Sequence, residues 1–484
     1  MAQETATNNA EELAYALVTP YSLHKSRTGG ILARLLWANV KLVAARMYAP
    51  KAGSGLIQEY CDAIYESEER EVPLQYQRLL IEYVIKNLGK PNVRGISNRL
   101  ALLVFRGPNA QKELAEAVGH IRLGVRGDDV RGTFGDFLVE DPDVLDYDPG
   151  YQERRHLLTR YGKLRQADLP VRHNTFFEPA ALTGTTPRMN EAHLRLFRKY
   201  AYSDGGFVLD AVEGAGAPGM ETSMVILKPE SFRHRNPLPG NLIDFFARTG
   251  MFITAMKVME MDVDRAREFY GLKVPQFRRQ LKGMVGKRAR QIVERARALC
   301  EEAAARLGAQ QAAACTPRNA LEAVRRLEGL FAGQPSPGEV KPPVLARIYE
   351  ELAARLTDLN PPDSVFDLLS EDLKDVNAEA EFNELIRYMT GKDPQTREPI
   401  EKGQETRCMA ILYSGQKALS TIRKRLKELR VVYGTNVLQN RAHASDPEEF
   451  PEKEREVLGM PASASGESRP CDVERAVTEF YGPA

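Results

Sequence analysis

The chain has 484 residues, 43% hydrophobic and 27% charged, and its 67 Lys and Arg against 66 Asp and Glu leave a net charge of +1. That length allows roughly two or three domains, each with its own core. The balanced charge argues against a broad polybasic surface for nucleic acid or an anionic membrane.

No apolar run approaches the ~20 residues of a membrane span, and the polar, acidic N-terminus has no signal-peptide h-region. The five cysteines (Cys61, Cys300, Cys315, Cys408, Cys471) are scattered and odd in number, without a CxxC pair. We therefore expect neither zinc nor a disulfide framework, and a cytoplasmic setting.

In chain order, residues 1–12 read as a disordered tail. Leu13–Val18 is a short apolar run stopped by Thr19-Pro20, as a buried strand would be. A Gly29-Gly30 break precedes ILARLLWANV, whose spacing suits an amphipathic helix, and Lys41–Met47 reads as a strand. Arg99–Phe105 is a strand followed by Arg106-Gly-Pro-Asn-Ala and a helix. The pattern then recurs. Met224–Leu227 is a strand ending in Lys228-Pro229, a loop runs to Gly240, and the helix NLIDFFARTG leads to the strand MFITAMKVMEM. Arg407–Tyr413 with Ser414-Gly-Gln-Lys-Ala answers to Arg99–Phe105, Arg430-Val-Val-Tyr-Gly-Thr to Arg131-Gly-Thr-Phe-Gly-Asp, and His443–Pro447 to Leu182–Pro187. This is an internal repeat.

The organisation expected is a tail (1–12), a first copy (13–202), a Gly-rich linker (203–222) in which FVLDAV can pair as an edge strand, and a second copy (223–484). A helical insertion at about 272–380 interrupts the second copy. Its run KRARQIVERAR (287–297), with Glu294 among the basic residues, reads as a solvated helix face. After the small, polar stretch Gly459–Ser468, the last helix, CDVERAVTEFYG, packs back onto the second copy. There is no GxxxxGK[ST], no GxGxxG opening a helix after a strand, and no HExxH.

The chemistry concentrates at Asn440-Arg441-Ala442-His443-Ala444-Ser445-Asp446. The histidine stands among small and polar residues, off any apolar stripe. Arg430 is near it, and Arg423 lies seven residues before Arg430. Arginines bracketing an imidazole suit a site where a phosphoryl group meets a nitrogen nucleophile.

Here the sequence resembles a family. Asn-x-x-His-Ala-Ser-Asp resembles the active-site signature of nucleoside diphosphate kinases, and Met224-Val-Ile-Leu-Lys-Pro-Glu230 resembles that family's first strand. The resemblance spans most of the chain apart from the insertion and tails. It implies an α+β protein of two ferredoxin-like sandwiches. The activity implied is transfer of the γ-phosphoryl of ATP, carried with Mg2+, through phospho-His443 to a nucleoside diphosphate by a ping-pong route. It implies His443 as nucleophile, Arg423 and Arg430 as phosphate clamps, and Lys228 on the transferred phosphate and the ribose hydroxyl. Asn440 is implied on the sugar, Val437 among the nucleotide contacts, Phe382 near the base-clamping aromatic, Tyr270 beside the histidine and Ser445 supporting the imidazole. A carboxylate should orient His443. Glu454, Glu456 and Glu474 are the candidates, and Glu456 is our choice. No protein metal ligand is implied.

The departures also carry expectations. The family keeps a longer loop between its two arginines, used in trimer packing, so the usual hexamer is not expected; a monomer or a fused-copy arrangement is. The first copy reads as degenerate, with Thr19 for the lysine, Ala115 for Arg423 and Leu182 for the histidine, while Arg131 persists. His173 is nearby, but its flanks do not match. The rival readings are a nucleotide-binding sensor or scaffold that has lost turnover, and transfer to a partner protein docked on the insertion.

Overall fold

The computed structural model describes residues 11–66, 74–92, 94–119, 128–137, 158–159, 162–163, 177–233, 235–272, 274–308, 315–330, 342–434, 440–446, 451–460 and 467–483. Within them the protein is mixed α/β, built on two four-stranded antiparallel sheets. The first contains β1 (Glu11–Val18), β2 (Lys41–Tyr48), β3 (Leu100–Pro108) and β4 (Ala181–Leu182), in the order β2-β3-β1-β4. The second contains β5 (Met220–Leu227), β6 (Phe252–Glu260), β7 (Arg407–Gln416) and β8 (Ala442–Ala444), in the order β6-β7-β5-β8.

The central strands are buried on both faces, which is why β1 and β3 read as unbroken apolar runs. Two sequence boundaries move. β1 begins at Glu11, because Glu11 and Glu12 pair with Pro108 and Gly107. β5 begins at Met220, inside the expected linker, because Met220 pairs with Gln416. FVLDAV forms no strand; Leu209–Ala211 is a 3-10 turn.

The Gly29-Gly30 break is also corrected, since both glycines lie inside the helix Thr28–Leu35. Gly240 likewise lies inside the helix Leu238–Ala247. A Cβ on Gly29 would run into the Gly240 carbonyl and Asp244, and one on Gly240 into the Gly29 carbonyl and Ala33. The glycines let two helices of the repeat touch backbone to backbone, and Asp244 Oδ1 accepts the Gly30 N–H at 3.1 Å.

The chain forms two compact units. One is Met1–Glu260, Glu405–Val432 and Arg441–Ala484, and holds both sheets. In it the edge strands β2 and β6 lie side by side. Arg99 donates to the Ile253 carbonyl (2.6 Å), and Arg407 donates to the Leu42 carbonyl (2.7 Å). Asp472 opens the last helix, Asp472–Tyr481. Its Oδ2 accepts the N–H of Ala45 on β2 and of Val258 on β6, each at 2.8 Å. That helix therefore packs on both copies, not on the second alone.

The other unit, Met261–Gln404 with Tyr433–Asn440, carries the insertion. Its helices Val274–Leu307, Pro317–Leu330, Pro342–Arg355 and Asp363–Thr390 share a core that includes Ile292, Val324, Leu352 and Leu369. The expectation of no disulfide is overturned here: Cys300 and Cys315 are bonded. Arg288 pairs with Glu328, Arg290 with Asp363, and Arg297 donates to the Leu359 carbonyl, so the basic run is engaged within the bundle. Among the described residues, no helix is long and apolar enough to cross a membrane.

Candidate active site

The histidine strand β8 is short, and neighbouring segments fix its register. His443 stands opposite Ile226 of β5. Before it, the Lys228 N–H donates to the Arg441 carbonyl (2.9 Å); after it, the Ser445 N–H donates to the Met224 carbonyl (2.9 Å). Alternate carbonyls of the strand meet the two arginines of the helix Ala418–Tyr433. Arg430 donates to Ala442 (3.2 Å) and Arg423 to Ala444 (3.3 Å), so guanidinium groups reach β8 on both sides of His443. Arg423 also forms an ion pair with Asp446 at 2.8 Å.

His443 is 8% exposed, and its Nε2 lies 3.2 Å from Oε1 of the fully buried Glu454. The carboxylate that meets the imidazole is therefore Glu454. Glu456, the choice from sequence, is exposed on the same short helix, Pro451–Val457, and Glu474 instead accepts from the Tyr202 hydroxyl. A carboxylate at Nε2 places the imidazole proton there and the basic lone pair on Nδ1.

Lys228 directly follows β5 and is only 4% exposed. Burial pushes its ammonium down to about 8; Glu230 pulls it back up, and the charge on Arg430 pushes it down. Glu230 follows in the turn Pro229–Ser231, and its Oε1 accepts the Arg441 N–H at 2.8 Å. Ser445 is buried, and its Oγ meets no hydrogen-bond partner among the described residues.

Not every candidate falls in this unit. Tyr270, buried with its ring edge-on to Phe269, lies in the second unit, as do the half-buried Phe382 and Asn440. Val437 and His173 lie outside the described residues.

The first sheet repeats the framework without the chemistry. Leu182 stands opposite Leu17, as His443 stands opposite Ile226. The Thr19 N–H donates to the Ala180 carbonyl, as that of Lys228 does to Arg441. Arg131 reaches the Ala181 carbonyl at 3.4 Å, as Arg430 reaches Ala442. Where the lysine would project, Thr19 and Tyr83 both donate to Glu178 (2.8 and 2.7 Å). Side-chain hydroxyls of the protein thus satisfy both oxygens of the Glu178 carboxylate there.

Glu454 was recoverable from the sequence, because Leu458, directly after its helix, continues the inward face, and i, i+4 spacing turns Glu454 inward and Glu456 outward. Glu230 was not singled out. Its signal is its place in the turn directly after the buried lysine. In comparisons with known proteins, no family model matches this chain and no curated protein matches it.

Proposed function

We propose that the protein is a nucleoside diphosphate kinase-like phosphotransferase. In this reading both sheets belong to ferredoxin-like sandwiches, only the second copy is active, and the enzyme works in the cytoplasm on nucleoside tri- and diphosphates. The observation that carries the reading is the His443–Glu454 pair on a strand gripped on both flanks by Arg423 and Arg430.

His443 Nδ1 attacks the γ-phosphorus of ATP. The P–N bond forms as the bond to the β,γ-bridging oxygen breaks, and ADP leaves with that oxygen. A terminal phosphate oxygen of an incoming nucleoside diphosphate then takes the phosphoryl group and restores the imidazole. Glu454 balances the positive charge that develops on the ring, while the arginines and Lys228 spread the charge of the phosphoryl oxygens. Mg2+ enters as part of the nucleotide substrate.

The test is protein incubated with γ-labelled ATP and Mg2+, freed of nucleotide, then chased with a nucleoside diphosphate. Label that moves to the diphosphate is expected, with ping-pong steady-state kinetics. Label that stays on the protein would point to another acceptor. The ion pair between Arg423 and Asp446 favours a second reading, a nucleotide sensor whose clamp is already neutralised. Nucleotide binding with no labelling would select it.

A further inference from the structure

We infer that Glu230 is a positioning residue of this site: one buried carboxylate both fixes the turn that launches the His443 strand and sets the charge environment of Lys228. The inference rests on the phosphotransferase reading for its role in turnover.

Arg441 adopts a φ of +69°, in the left-handed region that costs a non-glycine residue roughly 1 kcal/mol or more. Both of its backbone groups are held by the 228–230 turn. Its N–H donates to Glu230 Oε1, and its carbonyl accepts from the Lys228 N–H. Two residues later the chain places His443. Glu230 is 6% exposed, and its Oε2 meets no hydrogen-bond partner among the described residues; burial raises its carboxyl above the usual range, and the Lys228 charge draws it back down.

The first sheet supplies the control. Ala180 adopts a φ of +60°, its N–H donates to Glu178 Oε1 (2.9 Å), and its carbonyl accepts from Thr19. A carboxylate thus grips the left-handed residue in both copies. In the copy without a lysine, however, it comes from two residues upstream, and hydroxyls satisfy it. Only where a lysine is present does the carboxylate come from the lysine's own turn. Among the charges that bear on Lys228, Glu230 favours the ammonium and Arg430 opposes it.

The test uses Glu230→Gln, whose amide oxygen can still accept from Arg441, beside Glu230→Ala, which cannot. The Lys228 titration is followed by NMR and assigned with Lys228→Arg. The wild type should titrate near pH 8, and Glu230→Gln about one unit lower or more. Amide exchange across residues 441–445 should quicken in Glu230→Ala and stay near wild type in Glu230→Gln. His443 labelling, run in parallel, should lose its alkaline limb at lower pH in Glu230→Gln. An unmoved lysine titration or unchanged exchange in Glu230→Ala overturns the inference. A wild type that takes no label, with both shifts present, overturns phosphotransfer alone and leaves the positioning role standing.

Discussion

In the proposed reaction, the chemistry at His443 depends on which ring nitrogen holds the proton, and Glu454, 11 positions away, meets Nε2. Glu454 meets Nε2 from a buried helix position, whereas Glu456 faces solvent. Glu454→Ala should therefore slow His443 phosphorylation by about 10²-fold, as misaligned reacting groups typically do, while Glu456→Ala leaves it near wild type. Single-turnover labelling compares the two. An equal effect of both substitutions would remove Glu454 from the site. The histidine stands out in the sequence because its flanking residues are distinctive. Its partner was harder to choose, because glutamate is equally at home on the buried and solvated faces of a short helix until packing is known.

At the scale of elements, continuous apolar runs identify β1, β3, β5 and β7, because central strands bury both faces. The glycines of the repeat were harder to interpret. A Gly-Gly pair signals a break in the chain and a close approach of two backbones alike, and only the second helix distinguishes them. Gly240→Val should destabilise the unit that holds the sheets by about 1–3 kcal/mol, since its side chain would meet the backbone of the helix Thr28–Leu35. Chemical denaturation measures this; an unchanged midpoint would mean the crossing yields cheaply. The Cys300–Cys315 bond was not legible either. Nothing in the spacing of the two cysteines says that Cys315, just before the helix Pro317–Leu330, lies beside Cys300 in the helix Val274–Leu307.

For the whole molecule, a repeat in sequence suggests two domains joined by a linker, yet the two sheets share one compact unit. Asp472 explains part of this, because one carboxylate oxygen satisfies an amide from each edge strand. Asp472→Ala leaves two buried N–H groups unpaired and should cost about 1–3 kcal/mol for each. Asp472→Asn keeps an acceptor and should cost far less. Burial holds the Asp472 carboxyl above the usual aspartate range, so the folded state binds its proton more readily than the unfolded chain. Its contribution is therefore fully present at low pH and declines as pH rises through the folded value. Asp472→Asn removes that decline, and melting temperatures across a pH series read it directly. A decline unchanged in Asp472→Asn would assign it to other groups.

The most direct measurement is the intact mass of the 484-residue chain after incubation with Mg2+ and ATP, beside His443→Asn. The account predicts one added phosphoryl group in the wild type, labile to acid and lost on addition of a nucleoside diphosphate, and none in the variant. An unmodified wild type, or a phosphoryl group that persists in His443→Asn, would contradict it.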